Sequence, residues 1–574
     1  MASTPQTEAA QFDAIVVGSG MSGGWVAKEL CERGLKVCVL ERGTNTDPAK
    51  DYSDFLEPWE REHFDRVSPE VMARDFAIQG PTYAVRESNR HFWMTDSAQP
   101  YEETGGTRFK WRRANTVGGR SLMWGRASWR LAPYDFEINA KDGEGVDWPV
   151  RYDDIAPWYD HVEKFAGICG ARDGLDQLPD GPHMLPPFAP TAADIELKKT
   201  LEAKFPERPL VQGRYAHLTQ PTEEHLKLGR GTCQARTRCE HGCSYGAYFS
   251  AVSATLPAAE ATGNLTLVTG AVVAGLEHDP TTNRVTGVRV VDAETKAGTT
   301  YTARVVFLNA STIGSALILL NSASEAHPNG LANSSDQVGR NLMDHYGGST
   351  VMAEIPWLSD RTVFGRRPAH AYIPRYRNFP ERTEDYKRAW GWQVYSGRGG
   401  WGGWKPGVGA DFKAANRTPG PWNITLDAFG EMLPDPNNRV TAHATRTDAW
   451  GQPIAVVRLE PSANDRAIME AAHRDAHEIF EAAGFENIRD LRTPAELDEG
   501  VGGRIHEMGT ARMGRDPATS VLNGFNQAHD IPNLFVTDGS FMASNAVVNP
   551  SLTYMAFSAR AANHAAELMQ EGLI

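Results

Sequence analysis

Three cysteines fall within eleven residues of GTCQARTRCEHGCSYGAYFS (Gly231 to Ser250), spaced C-x5-C-x3-C, in a chain of 574 residues that has six in all. Cys233, Cys239 and Cys243 are therefore candidate metal ligands. A disulfide pair would leave one thiol over. Structural zinc would want a fourth ligand, for which His241 is the only local candidate, and most zinc sites pair C-x2-4-C units. Three idle core thiols fit poorly in so polar and glycine-rich a loop. Closely wrapped thiolates are also the usual ligands of an iron-sulfur cluster. The other three cysteines, Cys31, Cys38 and Cys169, lie in apolar surroundings and read as buried thiols.

A second stretch that could do chemistry is FDAIVVGSGMSGGWVAKELCERGLKVCVLERG, Phe12 to Gly43. It reads as strand, glycine turn, helix, strand. The turn Gly18-Ser19-Gly20-Met21-Ser22-Gly23 combines a tight bend, close approach of backbone to a pyrophosphate and tight helix packing. The helix N-terminus adds amides and a partial positive charge. Glu41, at the end of the second strand, is placed to accept hydrogen bonds from ribose hydroxyls. These features imply a dinucleotide cofactor and leave NAD and FAD both open.

Such sites need a large scaffold, and 574 residues exceed one typical core. Hydrophobic residues at 41% and charged residues at 23% are ordinary for a globular protein. The net charge of -14 argues against a nucleic-acid partner, because phosphate binding wants a basic surface. The longest apolar run, Val305 to Leu320, is interrupted by Asn309, Ser311, Thr312 and Ser315 and is too short to span a bilayer. The first residues, MASTPQTEAAQFDAIVVG, show no signal-peptide pattern.

The Gly18 turn, NTVGGRSLMWGRASWRL (Asn115 to Leu131), VGRNLMDH (Val338 to His345), H-x-x-G-T at His506 and N-P-S-L-T at Asn549 occur in this order. Together they resemble the glucose-methanol-choline (GMC) oxidoreductase family over nearly the whole chain. The resemblance implies an α/β fold, a Rossmann-like FAD-binding domain with an inserted α+β substrate-binding domain. The expected division is residues 1–345 and 501–574 for FAD and 346–500 for substrate.

The resemblance also implies site residues. His506 and Asn549 match the catalytic pair: an imidazole suits a base near neutral pH, and an amide can hold the substrate oxygen without competing for its proton. Gly18, Gly20, Gly23, Glu41, Gly118, Gly119, Asp538 and Gly539 match cofactor-binding positions, and Val272 or Val273 fits the strand edge that carries adenine. The helix after Asn549, with Pro550 at its first turn, would polarise the flavin. Some members attach FAD through a histidine after the V-G-G turn. Here Met123 stands near that position and no histidine occurs from Asn115 to Arg130, so FAD should be non-covalent.

The cysteine spacing resembles that of flavin-linked sugar dehydrogenases whose catalytic subunits carry a 3Fe-4S cluster. By that resemblance Cys233, Cys239 and Cys243 relay electrons to a cytochrome c subunit. A small signal-bearing subunit would carry the chain to the periplasm, with a cytoplasmic enzyme as the alternative. Trp390, Trp392, Trp401, Trp404 and Trp422 suggest stacking on a sugar ring, and Glu431 could accept sugar hydroxyls. Gly125 to Gly170 resembles bacterial glucoside 3-dehydrogenases, which oxidise pyranose C3. The rival readings are an oxygen-using sugar oxidase, a gluconate- or fructose-type dehydrogenase, a flavin-bound lyase and a non-catalytic binding subunit.

Overall fold

The run FDAIVV forms strand β1 (Phe12–Val17), followed by helix α1 (Met21–Glu32) and strand β2 (Val37–Leu40). Successive side chains of β1 point to opposite faces and both are buried. Ala14 and Val16 pack with Val26, Leu30 and Ala561, whereas Ile15 and Val17 pack with Trp25, Val306 and Met555. Two-sided burial is why the strand reads as one apolar run, each enclosed Val or Ile contributing about 1.5–3 kcal/mol. The computed structural model describes residues 12–82, 84–106, 108–362, 370–399, 407–417, 419–499 and 501–574.

Five strands lie in the order Leu534–Val536, Ala303–Leu308, β1, β2, Leu265–Val268, all parallel. The chain passes from β1 to β2 on one side and reaches Ala303–Leu308 on the other. That reversal opens a crevice beyond the C-terminal strand ends, where ligands bind in open α/β sheets. Gly18, Glu41, Asn309 and Asp538 follow four of those ends within two residues. The C-terminal helix Ser551–Gln570 packs against α1 and is buried along most of its length.

A second sheet is antiparallel, in the order Glu486–Arg492, Tyr346–Ile355, Trp422–Gly430, Trp390–Arg398, Ala371–Ile373, Val211–Gln212. It draws Val211–Gln212 from the stretch assigned by sequence to the flavin-binding part. The helix Ala463–Ala483 covers one face with Ile468, Met469, Ala472, Ala476 and Ile479. Ser462 and Asp465 cap its start reciprocally, and it stops at Gly484 in the left-handed region, φ 68°.

Period two decides what the other face offers. Trp390, Trp392, Val394, Ile424, Leu426 and Ala428 turn into the helix-side core. Gln393, Tyr395, Asp427 and Phe429 alternate with them, and Gln393 pairs with Asp427 across the strands.

Candidate active site

His506 and Asn549 meet, although they are 43 residues apart, with Asn549 Nδ2 3.3 Å from His506 Nε2. A second imidazole joins them: His345 Nδ1 lies 3.0 Å from His506 Nδ1, with the rings edge to face at 4.9 Å. Asp344 fixes both backbones. Its Oδ1 accepts the N–H of His345 at 2.8 Å and of His506 at 3.0 Å, and its Oδ2 accepts the N–H of Arg504 at 3.2 Å.

The donors give this cluster a direction. Tyr395 O–H donates to Gln393 Oε1 at 2.6 Å, and Gln393 Nε2 donates to Asn549 Oδ1 at 3.0 Å. The Asn549 amide is thereby turned with its NH2 toward His506 Nε2, which must be the unprotonated nitrogen. The His506 proton then sits on Nδ1 and is donated to His345 Nδ1. His345 Nε2 is buried without a partner. This tautomer leaves a base at the atom facing Asn549.

Burial, then the neighbouring His345 and the cations Arg120 and Arg504, hold His506 well below the ordinary imidazole value. Burial and Arg504 bring His345 down to about 3. Both rings are neutral at pH 7. Burial, then the charge of Glu507, pushes Asp344 up to about 7 against its three amide donors. Asp344, His345 and His506 place three ligand atoms within 4.8 Å of one another; the Asp344 carboxylate is engaged by backbone amides and the two facing Nδ1 atoms by each other.

Phe429 walls the cluster, 5.9 Å from the His506 ring and 5.8 Å from that of His345. Arg504 stacks on Phe429 at 4.3 Å and clamps Asp427 with two bonds of 2.6 and 2.7 Å. Tyr395 and His370 add rings 4.8 Å apart. Sequence reasoning assigned roles to none of His345, Gln393, Tyr395, Asp427, Phe429 or Arg504. His345 ends the quoted VGRNLMDH motif, and Gln393 is a polar break between Trp392 and Val394; both were available signals.

The cofactor cradle is equally specific. At Gly18, φ +97°, a Cβ would lie 2.4 Å from Asn309 O, and at Gly23 it would lie 1.9 Å from Gly18 O. Gly20 faces the second turn, Gly118–Gly119, closely enough that a Cβ on Gly119 would sit 3.4 Å from Gly20 Cα. Glu41 accepts from Ser19 N, Ser19 Oγ and Gly43 N at 3.0, 2.6 and 2.8 Å. One of its four acceptor positions is left for a ribose hydroxyl. Asn309 Nδ2 and Asn115 Oδ1 are buried without partners beside these turns. Asp538 accepts from Ser315 and Ser540, and Gly539 is pressed against Glu507 O, where a Cβ would come within 2.5 Å. Val273 lies on Ala271–Asp279, a strand tied at its start to Glu41 O by Ala271 N; Met123 is buried in a small cluster with Tyr52 and Trp93. Pro550 is the N-cap of the last helix, one position ahead of its expected place. The residues present fit FAD.

Two expectations are corrected. Glu431 cannot serve a sugar: it is fully buried, with Oε2 on Arg375 and Oε1 on Arg388, each at 2.6 Å. Arg375 and Arg388 continue to Asp135 and Asp142, so Glu431 joins the substrate sheet to the long excursion after Leu131. Glu431→Ala should cost about 3–5 kcal/mol, since two buried guanidiniums each lose a charge-assisted bond and keep only Asp135 and Asp142 as counter-charges, and should lower the melting temperature sharply. A sugar ligand would raise KM without that loss. Trp390, Trp392 and Trp422 are likewise 1%, 0% and 1% exposed and belong to the core. Trp401 and Trp404 lie outside the described residues.

Cys31, Cys38 and Cys169 are buried as expected, and the six thiols are all free. The loop carrying Cys233, Cys239 and Cys243 is wound through left-handed residues, Ala235 (φ 51°), Thr237 (φ 58°), Gly242 (φ 88°) and Gly246 (φ 55°). Such alternation turns amides inward and builds anion-binding nests. Amides of Tyr245, Ala247 and Tyr248 favour the Cys243 thiolate, and the amide of Ala235 favours that of Cys233, against burial that pushes Cys233 up to about 11. His241 points away, bonding Ser88 Oγ and the Arg61 guanidinium at 3.2 Å each, which removes the fourth ligand of a zinc reading. Tyr248 O–H donates to Leu122 O at 2.7 Å, so the loop abuts the segment that follows Gly118–Gly119.

Residues 12–347 and 434–558 match the N- and C-terminal models of GMC oxidoreductases. The fructose dehydrogenase large subunit of Gluconobacter japonicus is 28% identical, over 98% of this chain and 99% of that one. The 2-methyl-1,2-propanediol dehydrogenase of Mycolicibacterium austroafricanum is 30% identical, over 97% of this chain and 96% of that one. Pyridoxine 4-oxidase from Mesorbium loti has the same fold, with a TM-score of 0.60 at 18% identity, over 97% of this chain and 99% of that one. From these matches and the paired motifs around His506 and Asn549, the chain belongs to the GMC oxidoreductase family and is a sugar- or alcohol-oxidising enzyme acting on CH–OH groups.

Proposed function

We propose that the protein is an FAD-dependent dehydrogenase that oxidises a secondary hydroxyl of a sugar or glycoside, at pyranose C3. The carrying observation is the directed chain Tyr395–Gln393–Asn549–His506–His345, which leaves His506 Nε2 unprotonated beside an amide donor. FAD, when bound, supplies the acceptor for the two electrons and the carbon-bound hydrogen.

The residues do the rest. His506 Nε2 takes the hydroxyl proton, and Nδ1–H, held by His345, stabilises the imidazolium that results. Asn549 donates to the substrate oxygen and fixes the carbon's orientation. Tyr395, 40% exposed, offers an aromatic face, with Gln393 and the Arg504–Asp427 pair beside it, a surface suited to a polyhydroxylated ring. Gln393→Glu should lower kcat about 10- to 100-fold, because a carboxylate at this position cannot donate to Asn549 Oδ1 and the amide turns its oxygen to His506. Steady-state kinetics would check it, with KM changing less than kcat.

We further propose a 3Fe-4S cluster at Cys233, Cys239 and Cys243, a cytochrome c partner and a small export subunit carrying the chain to the periplasm. Supporting the cluster are the C-x5-C-x3-C spacing and the backbone amides that favour the Cys233 and Cys243 thiolates; the three sulfurs do not gather within 4.8 Å of one another as ligands of one ion would, and each thiolate of a cluster binds a different iron. The first relative above is itself named a large subunit. A cluster, when bound, supplies one-electron transfer. The substrate reading is tested by incubating methyl glucosides with enzyme and an artificial acceptor and identifying the product by NMR. A 3-keto glycoside supports it; oxidation at another carbon, or stoichiometric peroxide in air, overturns that part.

A further inference from the structure

On the outer side of the antiparallel sheet, the helix Ala463–Ala483 carries His473 and His477 one turn apart, with rings 5.1 Å apart. Asp490, on the neighbouring strand Glu486–Arg492, faces both. His477 Nε2 is 2.8 Å and His473 Nε2 3.6 Å from the same Asp490 Oδ1. One ligand atom from each residue falls within 4.8 Å of the others. Behind them the fully buried Ser349 holds His473 Nδ1 at 3.0 Å. The three side chains are 20%, 33% and 36% exposed, so solvent reaches them, and none takes part in the catalysis proposed above.

We propose that His473, His477 and Asp490 bind a divalent transition-metal ion, with zinc as the reference ion. Histidines at i and i+4 share one helix face and can both reach an ion at about 2.0–2.1 Å. Two imidazoles and one carboxylate suit a first-row transition ion, where calcium or magnesium would want oxygen ligands throughout. Ser349 supplies the outer partner. The Ser349 hydroxyl can donate to or accept from His473 Nδ1; on metal binding it accepts Nδ1–H, which frees the His473 Nε2 lone pair for the ion. Three protein ligands leave one position for water. The ion clips the helix to the edge strand next to Tyr346–Ile355, the strand that begins directly after His345.

The test uses the desalted holoenzyme and zinc chloride alone. Crystals soaked with zinc should show an anomalous peak among His473, His477 and Asp490, and zinc should raise the melting temperature by a few degrees. The rise should vanish in His473→Ala/His477→Ala and in Asp490→Asn, which keeps the side-chain shape if the double variant folds poorly. Ser349→Ala should weaken zinc binding about 10- to 100-fold. Turnover of Asp490→Asn without zinc should match wild type. Zinc found only at Asp344/His345/His506 or only at the cysteine loop, or an unchanged thermal shift in Asp490→Asn, would overturn the proposal.

Discussion

Replacing His506 with alanine should slow substrate-driven flavin reduction about 100- to 10,000-fold while leaving flavin content unchanged. The hydroxyl proton must leave as the carbon is oxidised, and His506 Nε2 is the unprotonated nitrogen that the Asn549 amide faces. Anaerobic stopped-flow measurement on matched, flavin-replete samples gives the ratio. The pH profile follows from the same residue. A base works only when deprotonated, so the rate falls below its pKa; burial and the cations Arg120 and Arg504 hold that pKa well below 6.5. The His506 limb of the profile should therefore lie on the acid side of the ordinary imidazole value. A limb near 7 that disappears in Asp344→Asn would belong to Asp344 instead, whose carboxyl is pushed up to about 7. Unaltered turnover in His506→Ala would remove the base.

The second large effect separates the two halves of the reaction. Cys239→Ser should abolish reduction of a cytochrome c acceptor while flavin reduction by substrate keeps its wild-type rate. The reason is placement. The cysteine loop is joined to Leu122 through Tyr248 and gives no side chain to the chain Tyr395–Gln393–Asn549–His506–His345, so a change there should leave proton removal intact. Iron and acid-labile sulfide, determined on the same preparation, should fall together with acceptor reduction. Wild-type protein lacking both would dismiss the relay. Loss of substrate-driven flavin reduction in Cys239→Ser would show instead that the loop supports the active site.

Much of the flavin-binding part was legible because its signals are local. Gly23 is required by a contact with Gly18 O within one turn, Gly18 by its positive φ as well as by the distant Asn309 O, and β1 is a continuous apolar run because both its faces are buried. His506 and Asn549 were reachable through short motifs. The substrate side was less legible, because its meaning depends on which face of a strand a residue occupies. Trp390 and Trp392 read as a sugar platform until alternation turned them toward the helix Ala463–Ala483, and Gln393, the odd residue between, took the site-facing position. Glu431 failed for a related reason: its partners Arg375 and Arg388 lie 56 and 43 residues away, so its burial was invisible in the local pattern. The direction of the His506 tautomer required four side chains from three separate segments, which no spacing rule encodes.

The account is tested most directly by adding a glucoside to the anaerobic protein and following flavin absorbance and electron paramagnetic resonance together. It expects the flavin to bleach and an iron-sulfur signal, present in the oxidised protein, to diminish as electrons move outward. A flavin that stays oxidised across sugars and simple alcohols alike, in protein whose His506 and flavin are intact, would contradict it.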